Sequence, residues 1–379
     1  MRAAAAAHFL KTTAESLRGE CSQLSLKGPR ALLSAKTVGS VVLSVYLADL
    51  FHLEDRWWVA LSAFAVVRGE FAVSAWRVAD RMVGTAIGAL VGALIARSLP
   101  ESAWMFALAL AVIAGLGLYR TIGSPRSYGW ILGTVTALLV VGESRETTDI
   151  AALALRRVAD VGVGVVSSLI VLTVVHGAVY VLRRRGGQPT ADPVAQAVAA
   201  SADPPVGGWT MRRLRALQSL QGAITIGGFG LFVWHDQFPD FPQVLISIVA
   251  VLLVPLPALL RGDGESVVGM RMANRLLGCL FAALLAVILL PVIGNIPLLC
   301  MLVLAGGVWL AAHIQAGSGA TSYVGTQFGI GFIVIFVQDQ RWSTDVSAAG
   351  YRLLAIVVGL TGLAVVMLAT ARLRRRLTG

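Results

Sequence analysis

Apolar residues form long runs along most of the chain, and charged residues or Gly and Pro separate one run from the next. Runs of this length are typical of helices that cross a membrane, whereas half-buried strands alternate apolar and polar positions. The pattern therefore predicts an all-α integral membrane protein. The predicted spans are residues 37–53, 57–75, 82–97, 103–119, 128–142, 151–182, 214–234, 242–260, 276–293, 296–313, 322–338 and 352–371, twelve in all.

Composition supports this class. Of the 379 residues, 57% are hydrophobic and 13% are charged, whereas about a quarter of an ordinary soluble domain is charged. The net charge is +11, but Lys and Arg gather at the ends of apolar runs, so we expect no nucleic-acid partner. The three cysteines show neither a disulfide pattern nor metal-ligand spacing.

The distribution of basic residues predicts the topology. With the amino terminus inside, only seven of the 31 Lys and Arg fall outside or near the outer face. They are Arg56, Arg97, Arg145, Arg156, Arg157, Arg341 and Arg352. This asymmetry follows the positive-inside rule and places both termini in the cytoplasm. Charged residues such as Lys11 and Glu15 interrupt residues 1–36, so we expect a cytoplasmic lead-in helix there rather than a cleaved signal.

The chain also contains an internal repeat. The segment Arg77–Gly84 reappears 194 residues later as Arg271–Gly278, and Arg157–Gly164 reappears 195 residues later as Arg352–Gly359. A repeat unit with six spans predicts two halves of the same orientation, related by an axis along the membrane normal, with a central pathway between them. The predicted segments are the lead-in helix 1–36, a first membrane repeat 37–182, a Pro-containing cytoplasmic linker 183–213, a second repeat 214–371 and a basic cytoplasmic tail 372–379.

Small residues recur four apart on the third span and on its counterpart in the second repeat. They are Gly84, Gly88 and Gly92, matched by Gly278, Ala282 and Ala286. Such ridges allow two helices to approach closely, so we interpret them as helix-packing surfaces.

Ionisable residues within or beside membrane spans are candidates for a substrate pathway. Arg157 and Arg352 lie near the predicted outer ends of their spans, and Asp160 is three residues beyond Arg157, close enough to pair with it. The inner ends carry four further arginines, Arg77, Arg81, Arg271 and Arg275. Guanidinium groups bind carboxylates bidentately, which suits an anionic substrate. The alternative is that these arginines bind lipid phosphates and fix topology.

Other polar side chains leave two interpretations open. Tyr128 and Tyr323 can contact a ring-bearing ligand, with Gln327 donating a hydrogen bond one turn along, or they can anchor the helices at the membrane interface. His176 and His313 can relay protons or serve the structure alone. The sequence contains no phosphate-binding loop, zinc-protease motif or nucleophile elbow, so we expect neither an enzyme nor a cofactor or metal.

The residues from Trp57 to Arg68, the glycine ridge that begins at Gly84, and the segment from Ser127 to Thr136 together resemble the fusaric acid resistance family of bacterial aromatic-acid exporters. The resemblance covers about residues 30–182. It implies an inner-membrane efflux protein for aromatic carboxylic acids, often working with a periplasmic adaptor protein. The plant aluminium-activated malate channels are distant relatives. The family usually has a large soluble segment after each membrane half, whereas only residues 183–213 separate the two predicted halves here.

The leading hypothesis is a secondary transporter that exports small organic anions, with aromatic carboxylic acids as the expected class. An organic-anion channel related to the plant malate channels would use the same basic residues without alternating access. A membrane partner subunit that transports nothing is the third hypothesis.

Overall fold

The computed structural model describes residues 15, 18–20, 22, 24–185, 209–236, 238–254, 264–293, 296–317, 320–337 and 347–378. Within these ranges the chain is helical, and no β-strand occurs. The helices of eleven residues or more are α1 (Pro29–Leu50), α2 (Arg56–Val66), α3 (Phe71–Ser98), α4 (Ala103–Thr121), α5 (Ser127–Glu143), α6 (Ile150–Arg185), α7 (Trp209–His235), α8 (Phe241–Val251), α9 (Gly264–Ile293), α10 (Pro297–Gln315), α11 (Ala320–Phe336) and α12 (Ser347–Thr378).

Eight of these helices are long and apolar enough to cross a membrane, so the all-helical membrane class is confirmed. The other four are α2, α5, α8 and α11, which are shorter apolar helices. At 1.5 Å per residue, the 11 residues of α2 and of α8 reach about 16 Å, roughly half of a hydrocarbon core. Twelve complete spans therefore remain a prediction.

The second predicted span, 57–75, is wrong in its extent. Helix α2 ends at Val66, and a new helix begins at Phe71. In the break, the Ser74 hydroxyl accepts a hydrogen bond from the Arg68 amide at 2.9 Å and donates to the Glu70 carbonyl at 2.9 Å. Polar groups thus satisfy the backbone between the helices, as helix termini require.

Three helices begin at least eight residues earlier than the hydrophobic pattern predicts. Helix α1 begins at Pro29, inside the predicted lead-in segment, because Pro suits the first turn of a helix and Gly28 adopts φ 94° just before it. Helices α3 and α9 begin at Phe71 and Gly264, whereas the spans were predicted from residues 82 and 276. Charged residues in the first turns of α3 and α9 interrupt the apolar pattern, but they do not interrupt the helix. The linker predicted at 183–213 lies outside the described residues over 186–208.

The chain forms two compact units, each assembled from three separate stretches of the sequence. Unit 1 comprises residues 1–74, 163–190 and 273–349, and unit 2 comprises 75–162, 191–272 and 350–379. In unit 1, α1 packs on α2, α2 on α11, α11 on α10, and α10 on α1, which closes a ring of four helices. In unit 2, α7 packs on α8, α8 on α5, α5 on α4, and α4 on α7.

Corresponding helices of the two rings have similar lengths. The pair α2 and α8 has 11 residues each, α4 and α10 have 19 each, and α5 and α11 have 17 each. A matching close contact occurs in each unit. Gly164 of α6 lies against the Val59 carbonyl of α2, and Gly359 of α12 lies against the Val244 carbonyl of α8.

Candidate functional site

The first candidate cluster lies in unit 2, where Arg81 of α3 meets Tyr128 at the start of α5. Arg81 is 3% exposed, and its Nη1 donates a hydrogen bond to the Tyr128 hydroxyl at 3.3 Å. One turn earlier, the Arg77 guanidinium carbon lies 3.8 Å from the centre of the Tyr128 ring, a cation–π contact. Tyr128 thus contacts two guanidinium groups, one through its ring and one through its hydroxyl.

Close packing between α3 and α5 positions this cluster. The glycine ridge on α3 faces a second row of small residues on α5, backbone against backbone. The neighbours of Gly84, Gly88 and Gly92 are Gly129, Gly133 and Ala137, in that order. Because Gly129 directly follows Tyr128, this contact determines how far the tyrosine lies from the arginines. Small residues at such positions allow the two backbones to approach within contact distance.

Asp80 adds a negative charge to the unit 2 cluster. Its carboxylate lies within electrostatic reach of Arg126 and Arg77. The Arg126 guanidinium carbon also lies 5.6 Å from the centre of the Trp76 ring. Arg77, Arg81 and Arg126 thus accompany one carboxylate, so these four side chains carry a net positive charge.

The second candidate cluster lies in unit 1, on the corresponding helices α9 and α11. Arg275 is 1% exposed, and its Nη1 donates a hydrogen bond to the Gln327 amide oxygen. The Cys279 sulfur lies one turn further along α9 and 3.8 Å from the Gln327 carbonyl oxygen. Asn274, which replaces the aspartate of the first cluster, is 2% exposed. Tyr323 lies one turn before Gln327, with its hydroxyl oxygen buried.

The packing residues of the second repeat are also buried in unit 1. Gly278 lies against the Gln327 side chain and the Val324 carbonyl of α11. Ala282 and Ala286 are both 0% exposed. The second cluster therefore also lies beside a close helix contact. Arg271 is half-buried one turn before Arg275.

Both buried arginines lie well inside their helices, not at the helix ends where the sequence placed them. Arg81 is ten residues beyond the start of α3, and Arg275 is eleven beyond the start of α9. At 1.5 Å per residue these distances are about 15 and 16 Å. An ionisable group within a helix that crosses a membrane is a candidate for function.

The predicted outer arginines form ion pairs in unit 2. Arg157 of α6 is 5% exposed, and its Nη2 donates to Glu143 Oε2, at the end of α5, at 2.6 Å. Arg352 Nε lies 3.4 Å from Oδ2 of Asp240, the residue that precedes α8. Asp160, the partner that the sequence suggested for Arg157, is 2% exposed.

Burial dominates the electrostatics of Asp240. It raises the pKa of this carboxyl group, while the Arg352 charge and a hydrogen bond from the Gln243 amide lower the pKa to a smaller extent. Sequence reasoning did not identify Glu143 and Asp240 as partners of the outer arginines. The sequence did contain a feature that could have identified Asp240: it directly precedes α8, just as Asp55 directly precedes α2. Glu143 had no such signal, because its contact with Arg157 depends on how α5 packs beside α6.

The two histidines lie in different environments. His176 of α6 is exposed, and its ring stacks on Phe71 with centroids 4.9 Å apart. His313 of α10 is 1% exposed. Among the described residues, no group of three or more His, Cys, Asp or Glu side chains forms a candidate metal site.

Comparison with known proteins finds a family match within the first half of the chain. Residues 43–171 match the family model described as fusaric acid resistance protein-like. A segment of 122 residues is 31% identical to the "Uncharacterized protein YhfK" of Escherichia coli (strain K12) and covers 31% of this chain. The chain spans only 16% of that relative's length. No solved structure matches the chain. The family match over residues 43–171 includes Arg77, Arg81, Tyr128 and Arg157. The chain is therefore a multi-pass membrane protein in which residues 43–171 are similar to the fusaric acid resistance protein-like family.

Proposed function

We propose that the protein is a secondary transporter of the bacterial inner membrane that exports small organic anions, with aromatic carboxylic acids as the first candidates. The observation that carries this proposal is the burial of Arg81 and Arg275, at 3% and 1% exposure, inside apolar helices long enough to cross a membrane. Intramembrane arginines are rare and usually mark a substrate or ion pathway. The family match supports membrane transport as the general activity.

The chemistry of the two clusters favours a carboxylate. Arg81 donates a hydrogen bond to a phenol and Arg275 to an amide, and both of these acceptors are neutral. A guanidinium has five N–H donors in a planar fork, and two parallel bonds to a carboxylate are stronger than bonds to neutral oxygens. An organic anion that reaches either cluster would therefore gain charge-assisted hydrogen bonds.

The proposal includes two six-helix repeats of the same orientation. The matched helix lengths support this arrangement, as does the occurrence of the same four-helix ring in each unit. The paired contacts of Gly164 with Val59 and of Gly359 with Val244 support it further, because both pairs connect residues that correspond in the repeat. Proteins with such repeats commonly bind their substrate between pseudo-equivalent elements.

The proposed orientation places both termini in the cytoplasm, because the positive-inside rule favours it. The membrane potential would then assist export, since an inside-negative potential favours the exit of an anion by about 2.3 kcal/mol per charge per 100 mV. The proposal requires no catalytic residue or cofactor. A periplasmic adaptor protein is a further proposal, based on the family resemblance alone.

The test is the accumulation of labelled 4-hydroxybenzoate, benzoate and malate in cells that express the protein. We compare wild type, the double variant Arg81→Gln, Arg275→Gln, and the control Arg97→Gln at equal membrane levels. Arg97 is an exposed arginine near the end of α3, so the control changes one charge without touching either cluster. We expect wild type and control to lower accumulation of at least one acid, and the double variant to resemble empty cells.

Two outcomes would contradict the proposal. Equal accumulation in all four strains would reject export of these acids and would favour the partner-subunit hypothesis. Single-channel currents that reverse at the equilibrium potential of the anion would reject a transporter and favour the anion channel.

A further inference from the structure

Unit 1 contains another buried polar side chain, on α10. His313 of α10 is 1% exposed, and within the described part of the chain neither of its ring nitrogens has a hydrogen-bond partner. Buried polar groups in proteins almost always have partners, and exceptions call for a functional explanation or an additional bound species. An imidazole in this position therefore requires an explanation.

Contacts at the helix ends place a second polar group at the same depth. The Arg30 guanidinium donates to the Glu20 carboxylate at 2.7 Å at the start of α1, and Glu20 also lies against Gly317, just after α10. The start of α1 therefore lies beside the end of α10, so these two packed helices run antiparallel. His313 is four residues before Gly317, and Ser34 is four residues after Arg30, so each lies about 6 Å from that end.

Ser34 resembles His313 in its environment. It is 0% exposed, and its Oγ also has no hydrogen-bond partner among the described residues. The buried face of α1 continues with further hydroxyls at Thr37, Ser40 and Ser44. Each donates to a carbonyl of its own helix, at 2.8, 2.8 and 2.7 Å respectively. A hydroxyl that donates in this way keeps its acceptor capacity, so the face that α1 buries contains hydrogen-bond acceptors.

We propose that His313 is a proton-binding site and that its protonation accelerates transport. This inference rests on the proposed function. A proton from water at the Gly317 end binds the lone pair of the neutral imidazole, and no other bond is made or broken. The resulting imidazolium has two N–H donors, and the Ser34 hydroxyl is an acceptor at the same depth.

The effect on transport follows from burial. A charged imidazolium is less stable than a neutral imidazole in a buried, poorly hydrated position. Protonation therefore favours conformations in which α1 and α10 admit water, and this shift increases the population of states that can move the substrate.

Charged groups on the segments packed against α10 include some that favour a positive charge on His313 and some that disfavour it. On α1, Lys36 disfavours a second positive charge; its Nζ lies 3.5 Å from the Gly69 carbonyl. Glu20 favours the charge, but it is already paired with Arg30. On α11 the ionisable side chain is Tyr323, which is neutral in this pH range.

The test measures efflux of labelled 4-hydroxybenzoate from proteoliposomes while pH is varied from 6 to 8 on one side at a time. This acid is ionised throughout that range, and protein-free liposomes correct for leakage. We compare wild type, His313→Gln and the matched control His176→Gln, which changes an exposed histidine. We expect the wild-type rate to rise severalfold as pH falls on one side only, with most of the change within about two pH units, as for one titrating group. The control should behave in the same way.

The variant His313→Gln should transport at a low rate that does not depend on pH. Ser34→Ala should retain the pH dependence with a shifted midpoint. If His313→Gln does not fold, a histidine NMR titration of the wild type gives an independent measurement. A histidine resonance that titrates between pH 5 and 8, beyond those of exposed histidines, supports the site, and its absence overturns it. Efflux by His313→Gln with the wild-type pH dependence also overturns the inference, whereas absence of wild-type efflux at every pH contradicts the proposed function itself.

Discussion

Replacing Gly88 by alanine would insert a methyl group where α3 and α5 meet. A β-carbon at Gly88 would overlap the carbonyl oxygen of Gly133. Non-bonded heavy atoms pack best at about 3.5–4.0 Å, so the two helices would have to separate by about 1 Å. Overpacking of this kind costs about 1–3 kcal/mol, and the helix propensity of alanine returns about 0.5–1 kcal/mol of that cost. We therefore expect Gly88→Ala to lower the free energy of unfolding by about 1–2 kcal/mol.

The matched control is Gly228→Ala in α7 of the same unit. No atom lies within 4 Å of a β-carbon built on Gly228, so alanine should be neutral or stabilise the helix by up to about 1 kcal/mol. Thermal unfolding in detergent should therefore place Gly88→Ala several degrees below Gly228→Ala. Equal melting temperatures would refute the close approach of α3 and α5.

A second substitution on the same glycine ridge, Gly84→Ala, tests how the arginine cluster is positioned. Displacement of α5 by about 1 Å would move Tyr128 away from Arg81, whose hydrogen bond to it is already long at 3.3 Å. Gly84→Ala, which faces Gly129 directly, should impair transport more than Gly228→Ala does at equal amounts of folded protein.

Three further predictions concern ion pairs and a buried thiol. Arg157→Gln should destabilise the protein by about 2–3 kcal/mol because it leaves Glu143 without that guanidinium. The double variant Arg157→Gln, Glu143→Gln should lose less stability than the sum of the losses of the two single variants. Strict additivity in this double-mutant cycle would contradict the pairing. Asp240→Asn should be neutral or stabilising at pH 7. The pKa of Asp240 is raised, so folding favours its protonated form, and this contribution to the free energy of unfolding is lost as pH rises through the folded-state pKa. The difference in melting temperature between this variant and wild type should shrink towards zero as the pH approaches 4. If the variant is less stable than wild type at pH 7, the stabilisation from the Arg352 ion pair is larger than the cost of burying the Asp240 carboxylate. Cys279, at 3% exposure, should react with a maleimide far more slowly in the folded protein than after unfolding, and rapid labelling of the folded protein would contradict its burial.

The class of fold could be predicted because a membrane imposes long apolar helices on the sequence. Helix boundaries were less predictable. The apolar run of α3 starts near residue 82, but the helix itself begins at Phe71, because residues such as Arg77 and Arg81 interrupt hydropathy without breaking helical hydrogen bonds. The hydrophobic pattern does not reveal the break after Val66, because apolar residues lie on both sides of Arg68 and Glu70.

The candidate site was predicted by residue type but not by its contacts. The repeat identified Arg81 and Arg275 as equivalent, and the glycine ridge on α3 was visible as a spacing of four. The partner row, Gly129 and Gly133, could not be assigned to that ridge, because the sequence does not state which helices are neighbours. For the same reason the bond between Arg275 and Gln327 could not be predicted, although both residues were candidates.

The most direct test of the central claim is potential-driven efflux of labelled 4-hydroxybenzoate from proteoliposomes containing wild type, Arg275→Gln or Arg97→Gln. We expect equal initial rates for wild type and Arg97→Gln, and a rate at least about tenfold lower for Arg275→Gln, equivalent to about 1.4 kcal/mol added to the transport barrier. An Arg275→Gln protein that is folded and transports at the wild-type rate would contradict a role for the buried arginine in anion transport.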